Sequence, residues 1–489
     1  MNICLACTAL FFLVAAQQPE NPWKARVPAA VATAQQENTT EAYCRALDTA
    51  WRADDWQMGL ALARESLEKW PESSELRGRQ GRTFWRAGHI APAEELAARI
   101  SPDTTDHVAL RLLVQINAAR GNLPAAATAA ERLAELPPLT AEDLFAVLGA
   151  RLAQNRLAGL PEMIRRIEQL ADVANGYPEN YMVEQLGGLA EFFEAVGSAP
   201  LNQIARFGEA VMPVMPLINL PGCQVMINGR GPYRMLVDTG GSITLSLDQA
   251  VAAELGLKSI ADATIHGIGG REQSGQTLVE ELTIGEIRCK RVMTRTFELR
   301  KSIAYAADGV LGTGIFADSR MTLDFEHGRL HVAAASDAPG PGREAQLRIV
   351  GDGKLLTPTL VNGTPLVGLL DSGADVFALS PALLEKLFPE RPIKSISAFT
   401  MGVGSDAQPS ISMMPTVTLE VAGRKFADHG GVGLDVLDTL LSPMLGIQTD
   451  ALVGMPVLRD MRTLTVDFAH SKMWVEWLAG SDGEKGLAE

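Results

Sequence analysis

The feature that most constrains this chain is a duplication in its second half. In the first copy, Asn228-Gly229 leads through the apolar Met235-Leu236-Val237 to Asp238-Thr239-Gly240, then to Ile243-Thr244-Leu245-Ser246. In the second, Asn362-Gly363 leads through Gly368-Leu369-Leu370 to Asp371-Ser372-Gly373, then to Phe377-Ala378-Leu379-Ser380. Further on, Gly267-Ile268-Gly269-Gly270 is matched by Gly402-Val403-Gly404, and Val310-Leu311-Gly312 by Leu452-Val453-Gly454. Each copy closes with a strand pair, TLDFEHGRLHV ending at Val332 and LTVDFAHSKMWVEW ending at Trp477. The two aspartates are 133 residues apart. Short β-branched runs broken by Gly and Pro predict β-sheet throughout this half. The expectation is an all-β, bilobal body with lobes at 212–335 and 346–478. A linker at 336–345, flexible and exposed by its Pro and Gly content, joins them, and a tail at 479–489 follows.

Each repeated part has a chemical use. A carboxyl at the end of an apolar strand is poorly hydrated, which raises its proton affinity. Pseudo-twofold pairing of two such strands brings Asp238 and Asp371 to one site. Like charges in contact cannot both ionise easily, so the pair shares one proton over a useful pH range. The ionised member can take a proton from water while the protonated one hydrogen-bonds a substrate carbonyl. Thr239 and Ser372 supply hydroxyls able to lock the two loops, and Gly240 and Gly373 allow the tight turn after each carboxylate. The Gly-rich segments 267–270 and 402–404 suit hairpin tips that cover a substrate and exclude water. Asp324 and Asp467, in the closing strands, read as structural. One D-[ST]-G triplet is an ordinary turn sequence; two in matching contexts are the informative observation. A duplicated β-domain without a dyad remains the alternative.

Composition removes the main competitors. Acidic residues outnumber basic ones 58 to 43, a net charge of −15, which argues against nucleic acid as a partner. The seven histidines include no H-E-x-x-H, and the chain has no G-K-[ST], complete G-x-G-x-x-G or G-x-S-x-G. No metal or cofactor is implied.

The first half is of another kind. From about Glu41 to Pro200 it is rich in Ala, Leu, Arg and Glu at helical spacing. A turn signature recurs at Asp54-Asp55-Trp56, Gly88-His89-Ile90, Gly121-Asn122-Leu123 and Asn155-Arg156-Leu157, its third members 34, 33 and 34 residues apart. Small residues mostly stand three positions later, at Gly59, Ala93, Ala126 and Leu160. This pattern resembles degenerate tetratricopeptide repeats over 41–200, helix pairs stacked into a solenoid that would bind or position a protein partner. An irregular helical bundle is the alternative. Residues 3–16 are uncharged and apolar, too short to span a bilayer but suited to a signal peptide at 1–16, followed by a linker at 17–40. Met1 and Asn2 lack the usual basic residue. A secreted or periplasmic mature chain without a membrane span is expected, in which Cys223 and Cys289 either pair or stay as buried thiols.

Residues 215–477 resemble a single-chain, retropepsin-like aspartic protease. Gly267-Ile268-Gly269-Gly270 is similar to the flap tip of retroviral proteases, and Asp371-Ser372-Gly373-Ala374-Asp375 to their active-site loop. The resemblance implies a peptide-bond hydrolase with Asp238 and Asp371 as the catalytic pair, a polypeptide substrate, and Asp375 ordering its loop and meeting the substrate backbone. The first lobe departs from the pattern with Gly241-Ser242, which makes that contact one-sided. Both lobes in one chain imply a site complete in a monomer, and a fragment of about 205–480 is expected to fold without the helical half. At the position after each D-[ST]-G, where pepsin-like enzymes usually carry Ser or Thr, stand Gly241 and Ala374. Neither offers a side-chain donor to an ionised aspartate, so activity is expected to peak at roughly pH 4.5–6.5 rather than near pH 2. Two rival readings are a peptide-binding module that has lost turnover, and a partner-binding repeat protein whose protease domain only processes its own chain.

Overall fold

A computed structural model describes residues 21–479, apart from 216–217, 242–243, 268–269, 303–305, 352, 392–394 and 398–409. The expected signal peptide and nearly all of the expected tail lie outside the described residues. So do Ser242, Ile268, Gly269, Gly402, Val403 and Gly404.

The N-terminal region is helical. Successive helices pair as Thr40–Arg52 with Trp56–Lys69, Ser74–Arg86 with Ile90–Ala98, His107–Ala119 with Leu123–Ala134, and Ala141–Ala153 with Leu160–Leu170. The first helices of neighbouring pairs also pack on one another, which stacks the pairs. Caps follow from the turn signature: Asp55 Oδ1 accepts from the Met58 N–H and Asn122 Oδ1 from the Ala125 N–H. Gly59, Ala93, Ala126 and Leu160 are all buried where helices meet. The fourth turn departs from the others, because its helix starts at Leu160, after Gly159 at φ +75°, and not at Leu157. Helices Glu179–Leu186 and Leu189–Val196 complete this region. The expected linker at 17–40 is instead helical from Lys24 to Glu37, and Val27–Glu37 packs on Thr40–Arg52. Its small apolar face of Ala and Val, with only Val27 and Ala34 buried, is too faint a periodic signal to read.

The C-terminal region is mostly β-sheet. The first lobe begins earlier than residue 212. Gln203–Arg206 pairs with Ile287–Phe297, and Gly208–Val211 joins the sheet between the lobes. In each lobe an Asn-Gly turn with positive φ at both residues, 228–229 and 362–363, folds two strands into a hairpin that ends at the aspartate. In each lobe the later apolar-Gly strand inserts beside the aspartate strand. Gly309–Gly312 runs parallel to Met235–Asp238, and Ala451–Val453 parallel to Gly368–Leu370. The two closing strand pairs merge into one six-stranded sheet, with Ser319–Asp324 antiparallel to Met461–Asp467. The lobes are therefore joined by a shared sheet.

The linker at 336–345 is exposed but pinned rather than flexible. Arg343–Ala345 pairs with Lys472–Trp477, the Ser336 N–H donates to Asp467, and Arg320 donates to the carbonyls of Ser336 and Ala338. Asp467 thus serves the joint between lobes, and Asp324 bonds the adjacent His327. Cys223 and Cys289 are buried free thiols.

The helical region completes the core of the second lobe. In that lobe Leu355, Leu366 and Leu370 face the inner core of the β region, while Leu356, Val367 and Leu369 join a cluster with Leu112, Ile116 and Leu96 of the helices. Arg348 pairs with Glu94 through two bonds of 2.6 and 2.9 Å, and the Gln448 N–H donates to the Arg86 carbonyl at 2.7 Å. The helical turns form this docking edge. A side chain at Gly88 would meet the Gln448 carbonyl, and one at Gly121 would strike the backbone of His470. The C-terminal helix Leu189–Val196 meets the first lobe, packing against strands Ala261–Gly267 and Gly270–Ile284.

Candidate active site

Asp238 ends the strand Arg230–Asp238, and Asp371 directly follows Thr364–Leu370. The three residues before each carboxylate, Met235-Leu236-Val237 and Gly368-Leu369-Leu370, are apolar or glycine and buried, so each aspartate stands at the end of a buried stretch. Between the loops lies a reciprocal lock. Thr239 Oγ1 donates to the Leu370 carbonyl at 2.9 Å and accepts from the Ser372 N–H at 3.0 Å. Ser372 Oγ donates to the Val237 carbonyl at 2.8 Å and accepts from the Thr239 N–H at 3.0 Å. Both hydroxyls are fully buried. Each bond is worth about 1 kcal/mol net, but an orphaned partner costs ~1–3 kcal/mol, so the four act together to fix loop spacing.

The glycines of one loop face the carboxylate of the other. A Cβ on Gly240 would sit 2.2 Å from the Asp371 carboxyl carbon, and one on Gly373 would sit 2.3 Å from that of Asp238. Only glycine permits this mutual approach. The turn after each aspartate also feeds back on it: Gly240 N–H donates to Asp238 Oδ1 at 2.9 Å, and Gly373 N–H to Asp371 Oδ1 at 2.8 Å. The chain thus places both carboxyls in one site within a single molecule.

Electrostatics follow from that placement. Burial pushes Asp238 above its ordinary value, against the opposing pull of Lys354, of a hydrogen bond from Asp371, and of the Gly240 and Gly241 N–H groups. Burial pushes Asp371 well above its ordinary value, and the Asp238 charge and the hydrogen bond to it act in the same direction. Both members are thus raised, and the two carboxyls titrate as one coupled pair. The absence of a side-chain donor at Gly241 is partly offset by its backbone N–H, a donor that the residue type does not reveal.

The remaining sequence-predicted positions divide. Gly267 and Gly270 face each other at the end of a β-hairpin formed by Ala261–Gly267 and Gly270–Ile284, a geometry suited to a flap. In the second lobe, Ser395–Ser397 pairs with Ser410–Met413, and 402–404 falls between these strands outside the described residues. Asp375 lies at the rim of the second loop and pairs with Arg459 at 2.5 Å. Lys354 was missed by the sequence reading; it is buried and donates from Nζ to the Gly241 carbonyl beside Asp238. Aligning the first strands of the two copies would have exposed it, since the strand Leu220–Ile227 begins with Leu where Lys354–Val361 begins with Lys.

Residues 223–315, which include Asp238, match the family model for aspartyl proteases. No curated protein matches the chain. Among solved structures, the chain is similar to a retropepsin-like aspartic protease from Rickettsia conorii at 16% identity, over 26% of this chain and 100% of that one, with a TM-score of 0.19. The family-model match lies within the first lobe, where the sequence resembles aspartic proteases.

Proposed function

We propose that the chain is an aspartic endopeptidase acting through Asp238 and Asp371. One observation carries this reading: a fully buried, reciprocal lock holds two carboxyls, both raised by burial, together at the meeting of two lobes. In the reaction, ionised Asp238 takes a proton from water, and the oxygen so activated attacks the peptide carbonyl carbon. Protonated Asp371 hydrogen-bonds and then protonates the carbonyl oxygen, giving a tetrahedral diol. Return of a proton to the amide nitrogen releases the amine without a covalent enzyme intermediate. The flap hairpin ending at Gly267 and Gly270 covers the substrate, and Asp375, ordered by Arg459, meets its backbone. The helical region binds a protein partner or presents substrate, and the signal-like residues 1–16 direct the chain to a secreted or periplasmic location. Among the described residues no helix is long and apolar enough to cross a membrane.

Incubating the full chain with a denatured protein mixture, with and without a statine-type peptide mimic, tests the reading. Cleavage abolished by the mimic is expected. Tight binding of the mimic with no cleavage of any substrate would mean a peptide-binding module, and cleavage confined to the chain itself would mean self-processing.

The pH profile follows from the directions of the two shifts. Activity needs one proton on the pair, and burial raises both members, so the active window lies above the range of ordinary carboxylates. A bell in kcat/KM centred in the mildly acidic range is expected on a cleavable peptide. A maximum near pH 2 would show that Lys354 and the Gly240 and Gly241 N–H groups outweigh burial.

A further inference from the structure

Accepting the dyad as the reactive pair, we infer that Lys354 is a positioning residue: a lysine that replaces a core leucine of the other lobe and reaches across the lobe interface to fix which aspartate carries the charge. The replacement is visible in the duplication. Strands Leu220–Ile227 and Lys354–Val361 share one burial pattern position by position, and each runs into its Asn-Gly turn. Their first residues, Leu220 and Lys354, are 7% and 9% exposed. Lysine is almost never this buried without a partner, because desolvating an ammonium is costly. A leucine satisfies the same place in the first lobe, so packing alone does not require the charge.

The geometry directs that charge to one member of the pair. Lys354 belongs to the second lobe, yet Nζ donates to the carbonyl of Gly241 in the first. Gly241 lies against Asp238 so closely that a Cβ there would be 2.0 Å from Oδ2. The base of the lysine is tied to the same lobe, since Thr313 Oγ1 donates to the Gly353 carbonyl at 2.9 Å. The ammonium is thus anchored at both ends on the Asp238 side of a nearly symmetric dyad. Asp238 faces Lys354, Asp371 and the N–H groups of Gly240 and Gly241; Asp371 faces Asp238, the N–H of Gly373 and also Lys354. Two identical loops would leave either aspartate free to be the base. A cation on one side removes that degeneracy, so Asp238 ionises and Asp371 keeps the proton.

The test is the kcat/KM–pH profile of the full chain carrying Lys354→Met or Lys354→Arg, on a peptide that the unaltered chain cleaves. Methionine keeps the length and loses the charge. It is expected to move the acid limb upward by roughly one pH unit or more, with about a tenfold loss of rate at the foot of the original limb. Arginine is expected to leave the limb in place, whatever the amplitude. A Met variant with lowered amplitude but an unmoved acid limb would reduce Lys354 to a structural contact and overturn the inference. Should the Met variant not fold, the Arg variant decides: a limb held in place supports the role, and a displaced limb overturns it. If the unaltered chain cleaves nothing, the protease reading itself fails, a result distinct from any of these.

Discussion

Replacing Asp238 or Asp371 by Asn is expected to leave the fold intact and to lower turnover by on the order of 10³ or more. The fold survives because the lock between the loops is made by Thr239 and Ser372 and their backbone partners, not by the carboxyls. An amide oxygen can still accept from Gly240 or Gly373, so the turn after each position persists. Activity falls because an amide can neither take the proton from water nor supply the shared one. The double variant is expected to be little worse than either single one, since the pair acts as a unit. Rates on a cleavable peptide, with thermal melts as a control for folding, give the answer. A tenth of the original activity surviving in either single variant would sink the assignment.

This site was largely legible in the chain because its parts are local and repeated. An apolar run, a D-[ST]-G triplet and a later apolar-Gly step each lie within a few residues, and the second copy lets each be checked against the first. What escaped depends on contacts between distant segments. The Gly241 N–H donates to Asp238 through loop geometry, and Lys354 reaches its target from the other lobe. The helical turns show the same division. Gly88 and Gly121 could be read as turn residues, but not that the space left by their missing side chains admits Gln448 and His470 of the second lobe. One signal was present and unused. Leu355-Leu356, Leu366-Val367 and Leu369-Leu370 are consecutive apolar pairs, whereas a strand with one wet face alternates.

Those pairs underlie the second large effect. A fragment of 205–480 is expected to be insoluble or unfolded, contrary to the independence that the bilobal pattern suggests. Without the helices, Val350, Leu356, Val367, Leu369 and Ile447 lose the partners that bury them. At ~1.5–3 kcal/mol for each side chain, the loss is roughly 7–15 kcal/mol, an upper figure that still rivals the ~5–15 kcal/mol stability of a typical domain. The Arg348–Glu94 pair would be broken as well. Size-exclusion chromatography and a thermal melt of the fragment, alone and co-expressed with residues 21–200, read the outcome. A monomeric fragment that melts cooperatively alone would overturn the expectation.

The helices also touch the β-sheet region at two separated places. Their middle pairs hold the back of the second lobe, and Leu189–Val196 holds the base of the hairpin Ala261–Gly267 and Gly270–Ile284 on the first. Gln276 Nε2 donates to the Gly187 carbonyl at 3.1 Å, and a side chain on Gly188 would collide with the Asp262 carbonyl, so the second contact is as close as the first. The stack is therefore a strut closing a triangle whose other two sides are the lobes. Stacked helix pairs contact mainly their neighbours, which makes curvature the soft coordinate of such a body. Bending such a strut would change the distance between its two footings, one on each lobe.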